Sequence, residues 1–298
     1  MDPELEAFIP LFPRADLTDP IPDRAKLAEL AAAIPEPDVS GLEVEDRTVP
    51  GDPDVAVRIY RPHEARGAIV WLHGGGWVMG DLNTEHPWAA RIAEGSGVMV
   101  ISVAYRLAPE NPFPAALDDA YTVLTWASEH AGELGIDPER IAVGGHSAGG
   151  CLAAGAALRA RDEQGPPIRY QLLNQPALDD RQRTFSARTF TDTPWMNRDK
   201  ITAAWGHYLG SAAPTPYAAP ARADDLSGLP PAYIASAELC PNRDEDIAYA
   251  LRLLEAGVPV ELHHWPGTFH GSQAILSADI SQRQNAELMA ALRRALAE

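Results

Sequence analysis

Cysteine is nearly missing from this 298-residue chain, with Cys151 and Cys240 the only two. Two cysteines build no disulfide framework, and these form no CxxC motif; their scarcity fits a reducing, cytoplasmic setting. Long apolar runs are missing too. The longest, around 98–105 and 148–158, fall far short of the roughly 18 residues of a membrane helix. Residues 1–16 carry acids and prolines where a secretory leader needs a basic end and an apolar stretch. Basic charge is the third shortage: 24 Lys and Arg against 42 Asp and Glu leave a net charge of −18. Such a balance repels nucleic acid and anionic lipid, which argues against either as the main partner. A second copy of the chain is the one macromolecular partner left open.

What is there is a globular composition, 46% hydrophobic and 22% charged, enough to bury a sizeable core. Short β-rich runs at 55–60, 67–72, 98–104, 140–143, 170–174, 232–236 and 260–264 alternate with helical patterns. The helical patterns lie at 86–94, 114–130, 149–160 and 244–256, with a last one at 281–297. This alternation predicts an α/β fold, a mostly parallel central sheet covered by helices on both faces. Two stretches stand outside it. Residues 1–50 are rich in Pro and acids, with one helical segment at 23–34; residues 181–225 hold a helical segment at 199–209 and a Pro/Ala-rich tail. An insertion like the second, between two sheet strands, is where a lid would sit.

Three motifs carry chemistry. Gly145-His146-Ser147-Ala148-Gly149 matches G-x-S-x-G between an apolar strand and an Ala/Leu-rich helix. A nucleophilic serine on such a sharp turn needs small neighbours, and the helix beyond it favours developing negative charge. A plain Gly-rich turn is the bland alternative. His73-Gly74-Gly75-Gly76-Trp77 directly follows another strand. Consecutive glycines let backbone N–H groups face a reacting oxygen. A dinucleotide fingerprint fails there, because Met79 stands where its third glycine belongs. His270, on a Gly-bracketed loop after the last strand, is placed as a general base, and the order Ser, acid, His fits. His263 and His264 point to opposite faces of a strand and hold no metal. No cofactor is implied.

Together these residues carry a family resemblance. His73–Trp77, Tyr105-Arg106-Leu107-Ala108-Pro109-Glu110, Phe113-Pro114-Ala115-Ala116 and Ser147-Ala148-Gly149-Gly150 resemble the hormone-sensitive-lipase family of α/β-hydrolases, in its bacterial carboxylesterase branch. Arg243-Asp244-Glu245, Ala256-Gly257-Val258-Pro259 and Pro266-Gly267 with His270-Gly271 match as well. The resemblance covers roughly residues 50–298 and implies a helical cap on an α/β-hydrolase core. On that basis residues 1–50 and 181–225 are the two cap segments, and 51–180 with 226–298 form the catalytic core. It implies Ser147 as nucleophile, His270 as base, and the N–H groups of Gly75, Gly76 and Ala148 as the oxyanion hole. Trp77, Trp195, Trp205 and Tyr208 are candidates to line a small apolar substrate pocket; as aromatics they serve equally well as cap core.

Two departures stand out. His146 replaces the aspartate that precedes the serine in the family's commonest pattern. The family's acid, 30 residues before the histidine, falls on Cys240. A thiol is a weak acceptor and stays mostly protonated at neutral pH, so a nearby carboxylate is expected to take over. Glu238, two residues earlier and on the same face of an extended chain, is the first choice; Asp244 and Asp179 are the rivals. The activity expected is hydrolysis of short-chain carboxylic esters through a serine acyl-enzyme. Alternatives on the same framework are hydrolysis of amides or carbonates, or a catalytically dead binding protein of the kind the plant gibberellin receptors represent.

Overall fold

A computed structural model describes residues 1–11, 17–32, 37–65 and 67–297. Eight strands form one sheet: β1 (Leu42–Val49), β2 (Val55–Pro62), β3 (Ala68–Leu72), β4 (Met99–Val103), β5 (Ile141–His146), β6 (Tyr170–Asn174), β7 (Ala232–Leu239) and β8 (Val260–Phe269). Their spatial order is β1-β2-β4-β3-β5-β6-β7-β8. Only β2 runs against its neighbours; β4, β3, β5, β6, β7 and β8 pair in parallel.

The central strands are buried on both faces, and their side chains alternate between two cores. Ile69 and Trp71 of β3 join Ala89 and Ile92 of the helix Leu82–Ser96 and Leu288 and Leu292 of the helix Asp279–Leu296. Val70 and Leu72 of the same strand face the other way. They pack with Leu117 and Val123 of the helix Ala115–Glu129 and Leu152 of the helix Ala148–Asp162. Each helix therefore covers the sheet face that the strand periodicity assigns to it.

β1 departs from the sequence reading. The sheet begins at Leu42, so the stretch 42–49 belongs to it and the boundary drawn at residue 51 falls too late. As an edge strand it is largely exposed and carries Glu43, Glu45, Asp46 and Arg47, so it lacks the apolar signal of the inner strands. The helix expected at 23–34 is Ile21–Ala32; residues 33 and 34 lie outside the described residues.

The segment between β6 and β7 holds the helices Phe185–Thr189 and Arg198–Leu209. It meets the N-terminal segment, where His207 Nε2 lies 3.0 Å from the carbonyl oxygen of Leu17. Among the described residues no helix is long and apolar enough to cross a membrane.

Candidate active site

Ser147 sits between the end of β5 and the first residue of the helix Ala148–Asp162, with φ 57° and ψ −116°. That region is costly for a residue with a Cβ, and strain of this kind concentrates at functional turns. Close packing makes the turn possible. A Cβ on Gly149 would come 1.9 Å from the Leu72 carbonyl oxygen, and one on Gly145 would come 2.4 Å from the Gly149 backbone. The Ser147 N–H donates to the Asn174 carbonyl at 2.9 Å, tying the turn to β6.

His270 follows β8 directly. Its Nε2 lies 2.9 Å from Ser147 Oγ, and its Nδ1 lies 3.1 Å from Cys240 Sγ. All three side chains are buried, the serine at 2%, the histidine at 1% and the cysteine at 0% exposure. The loop is braced by a pair of amides that sequence reasoning missed. Gly271 N–H donates to Gln175 Oε1 at 2.9 Å, and Gln175 Nε2 donates to Gln273 Oε1 at 3.1 Å. No motif marks Gln175; its positive φ of 49°, at the end of β6, is the local oddity that a sequence does not show.

Burial governs the electrostatics. It holds the His270 imidazole well below its ordinary 6.5, with the neighbouring His146 adding to the effect. The two rings lie 5.1 Å apart between centroids. Burial also lowers His146 to about 4 and raises the Cys240 thiol well above its ordinary 9.0. At neutral pH the site therefore holds a neutral imidazole, able to accept a proton, beside a neutral thiol.

The glycine loop lies next to this pair, since β3 and β5 are neighbours. Gly75 has φ 114° and Gly76 φ 61°. Among the described residues nothing in the chain accepts from the N–H groups of Gly75, Gly76 or Ala148. They are donors with free valence, as an oxyanion hole requires. Tyr105 props the loop: its hydroxyl donates to the His73 carbonyl at 2.8 Å and its ring stacks on His73 at 4.1 Å. Arg24, from the N-terminal helix, donates to the carbonyls of Val78 at 2.6 Å and Ala108 at 2.7 Å and pairs with Glu110.

The expected acid requires a correction. Glu238 does not reach His270: its Oε2 accepts from the Gly267 N–H at 2.5 Å, and Cys240 holds the place at the imidazole. The backbone changes register between Ala237 and Leu239, so extended-chain geometry does not carry from 238 to 240. Asp244 is turned to the Ser186 N–H at 2.7 Å and to Arg243 at 2.8 Å, and Asp179 to Arg181 at 2.6 Å. The aromatics divide. Trp77 stacks on Tyr208 at 4.4 Å and meets Trp205 at 4.5 Å, and all three are buried. They make a closed stack between the insertion and the glycine loop. Trp195 stands apart, its ring beside Gly271 in the histidine loop.

Among the described residues one group of possible metal donors comes together, Glu261, His263 and Glu287. It is already satisfied in part, because Glu261 holds His263 at 2.8 Å and Arg294 at 2.9 Å.

Comparison with known proteins places the fold and its family. Residues 69–274 match a family described by the α/β hydrolase fold. The carboxylesterase NlhH of Mycobacterium tuberculosis is 41% identical over 316 residues, covering 99% of this chain and 96% of its own. The solved structure of a bacterial heroin esterase is 44% identical with a TM-score of 0.96, over 99% of this chain and 98% of that one. Esterase LipW from Mycobacterium marinum is 41% identical with a TM-score of 0.92, over 99% and 96%.

Proposed function

The chain belongs to the hormone-sensitive-lipase family of α/β-hydrolases and is a serine carboxylesterase, and from that premise we propose that Ser147 is its nucleophile, His270 its base, and short acyl esters its substrates. The observation that carries the assignment is the 2.9 Å contact between Ser147 Oγ and His270 Nε2. With His270 neutral, Nε2 takes the serine proton as Oγ attacks the ester carbonyl. The N–H groups of Gly75, Gly76 and Ala148 receive the oxyanion, and the helix beginning at Ala148 adds its positive end. Protonated His270 then returns the proton to the leaving alcohol. Water, activated by the same nitrogen, releases the acid and frees Ser147.

Short acyl groups are favoured because the aromatic stack of Trp77, Trp205 and Tyr208 fills the space between insertion and loop. The similarity to a bacterial heroin esterase supports a small ester as substrate. In this reading 1–41 and 181–225 act as the cap. The acidic charge and two buried free cysteines support a cytoplasmic enzyme that binds neither nucleic acid nor membrane.

A phosphonate ester inhibitor should label Ser147 stoichiometrically, and Ser147→Ala should abolish both labelling and turnover. A chain-length series of activated esters should peak at the shortest acyl groups. Best turnover on long-chain emulsified lipid would sink the short-ester reading, and an unlabelled Ser147 in active enzyme would sink the nucleophile assignment.

A further inference from the structure

We propose that Cys240 is the third member of the catalytic relay, a positioning residue whose neutral thiol holds His270 in place of a carboxylate and leaves the imidazolium formed during turnover without a counter-charge. This rests on Ser147 and His270 being nucleophile and base. The geometry is that of a relay: one imidazole bridges Ser147 Oγ at 2.9 Å and Cys240 Sγ at 3.1 Å, all three groups buried.

Each acid of that corner has another position. Glu238 is held by Gly267, Asp244 by Ser186 and Arg243, Asp179 by Arg181, and Glu245 by the Leu178 N–H at 2.7 Å. Asp246, in the helix Arg243–Glu255, is fully buried and neither of its oxygens has a partner. Burial pushes its own carboxyl well above the ordinary 3.8, and burial first, with Asp246 second, holds the Cys240 thiol protonated. A carboxylate at position 240 would be desolvated in the same way and would compete with Asp246 for ionisation. A thiol at 240 and an acid at 246 are thus compatible, whereas two ionised carboxylates there would repel in a dry interior.

The chemical consequence differs from that of an ordinary triad. A carboxylate only accepts, so it fixes the proton on Nδ1 and keeps Nε2 open to the serine. A thiol both donates and accepts. When Nδ1–H points at Sγ, Nε2 can take the serine proton; when S–H points at Nδ1, the ring proton sits on Nε2 and the base is blocked. Cys240 therefore fixes where the ring is but not which tautomer it adopts. It offers no charge to the imidazolium either, so turnover is slower than an aspartate would allow.

The titratable groups facing His270 are His146 from β5 and Cys240 from the segment after β7; the Ser147 hydroxyl from the nucleophile turn and the Gln175 amide from the end of β6 are neutral, and Trp195 stands beside the histidine loop from the insertion. With no carboxylate among them the ring resists protonation, and its low affinity for a proton follows from burial. The base then stays competent in acid, where an aspartate-paired histidine would be lost. Position 240 trades rate for acid tolerance.

The test is kcat and KM of the full chain on p-nitrophenyl acetate over roughly pH 5 to 9, with thermal unfolding of each variant. Cys240→Asp should raise kcat about 10- to 1000-fold at the alkaline end with KM little changed. It should also move the acid limb upward by about one pH unit or more. Cys240→Ala should lose about tenfold in kcat, and Cys240→Ser, which keeps a donor and acceptor, should remain within about threefold of the wild type. If Cys240→Asp does not fold, Cys240→Asp with Asp246→Asn removes the buried repulsion and is read instead. If neither folds, the contrast between Cys240→Ala and Cys240→Ser decides. A folded aspartate variant with no gain and an unmoved acid limb would overturn the proposal, as would Cys240→Ala matching the wild type. Ser147→Ala separates the two readings: activity surviving there refutes the nucleophile, whatever position 240 does.

Discussion

Gly149 has a backbone carbonyl where its side chain would be, 1.9 Å from the site of a Cβ, in a strand that cannot retreat without breaking the sheet. Gly149→Ala is expected to cost about 3 kcal/mol or more, read by urea unfolding, and to remove activity along with stability. Glu238 makes the opposite case. It accepts one bond from the Gly267 N–H, and glutamine also offers an oxygen there. Glu238→Gln should therefore change kcat by less than about threefold. The approach of His270 to Ser147 and the bend of the glycine loop were legible in the sequence because each lies in a short motif whose glycines answer a local demand. The partner of the base was not, because it depends on how β7 ends. A register change between Ala237 and Leu239 turns Glu238 away and presents Cys240, and no spacing rule announces a bulge.

At the scale of elements, the helix Ile21–Ala32 and the glycine loop are joined by one side chain. Arg24 spans the carbonyls of Val78 and Ala108 and the Glu110 carboxylate, so the segment before the sheet is fastened beside the glycine loop proposed to receive the oxyanion. Arg24→Ala should lower kcat by roughly tenfold with a smaller change in KM, because a displaced donor harms the transition state more than ground-state binding. Arg24→Lys should not restore it, since an ammonium cannot reproduce the planar fork. The inner strands and long helices were readable from apolar periodicity. β1 was not, as its two faces are mostly solvated and its residues are those of a polar loop. The linkage through Arg24 was equally hidden, being a contact between residues 24 and 78 that only the folded chain brings about.

For the whole molecule, pH acts through half-buried acids as well as through net charge. Glu85 accepts from Trp71 Nε1 at 2.6 Å, and burial pushes its carboxyl up to about 7 from 4.5. The folded state thus binds this proton more tightly than the unfolded chain does. Its stabilising contribution is complete below pH 4.5 and is lost as pH rises through 7. Glu85→Gln keeps an acceptor for Trp71 and removes the loss. It should leave Tm unchanged near the acid end and raise it by roughly 2–4 °C at pH 8, by calorimetry. The net charge of −18 adds a repulsion of the same sign, relieved by salt.

The N-terminal segment has one more bearing on the enzyme. Asp2 N–H donates to the Gly267 carbonyl at 2.9 Å, Asp279 N–H to Glu4 Oε2 at 2.7 Å, and Leu5 packs with Phe269 and Ile275 around the histidine loop. On the ribosome, residues 2–6 are made long before the loop they grip, and they must wait for it through the synthesis of nearly the whole sheet. A nascent chain can therefore carry a finished serine elbow and still be silent.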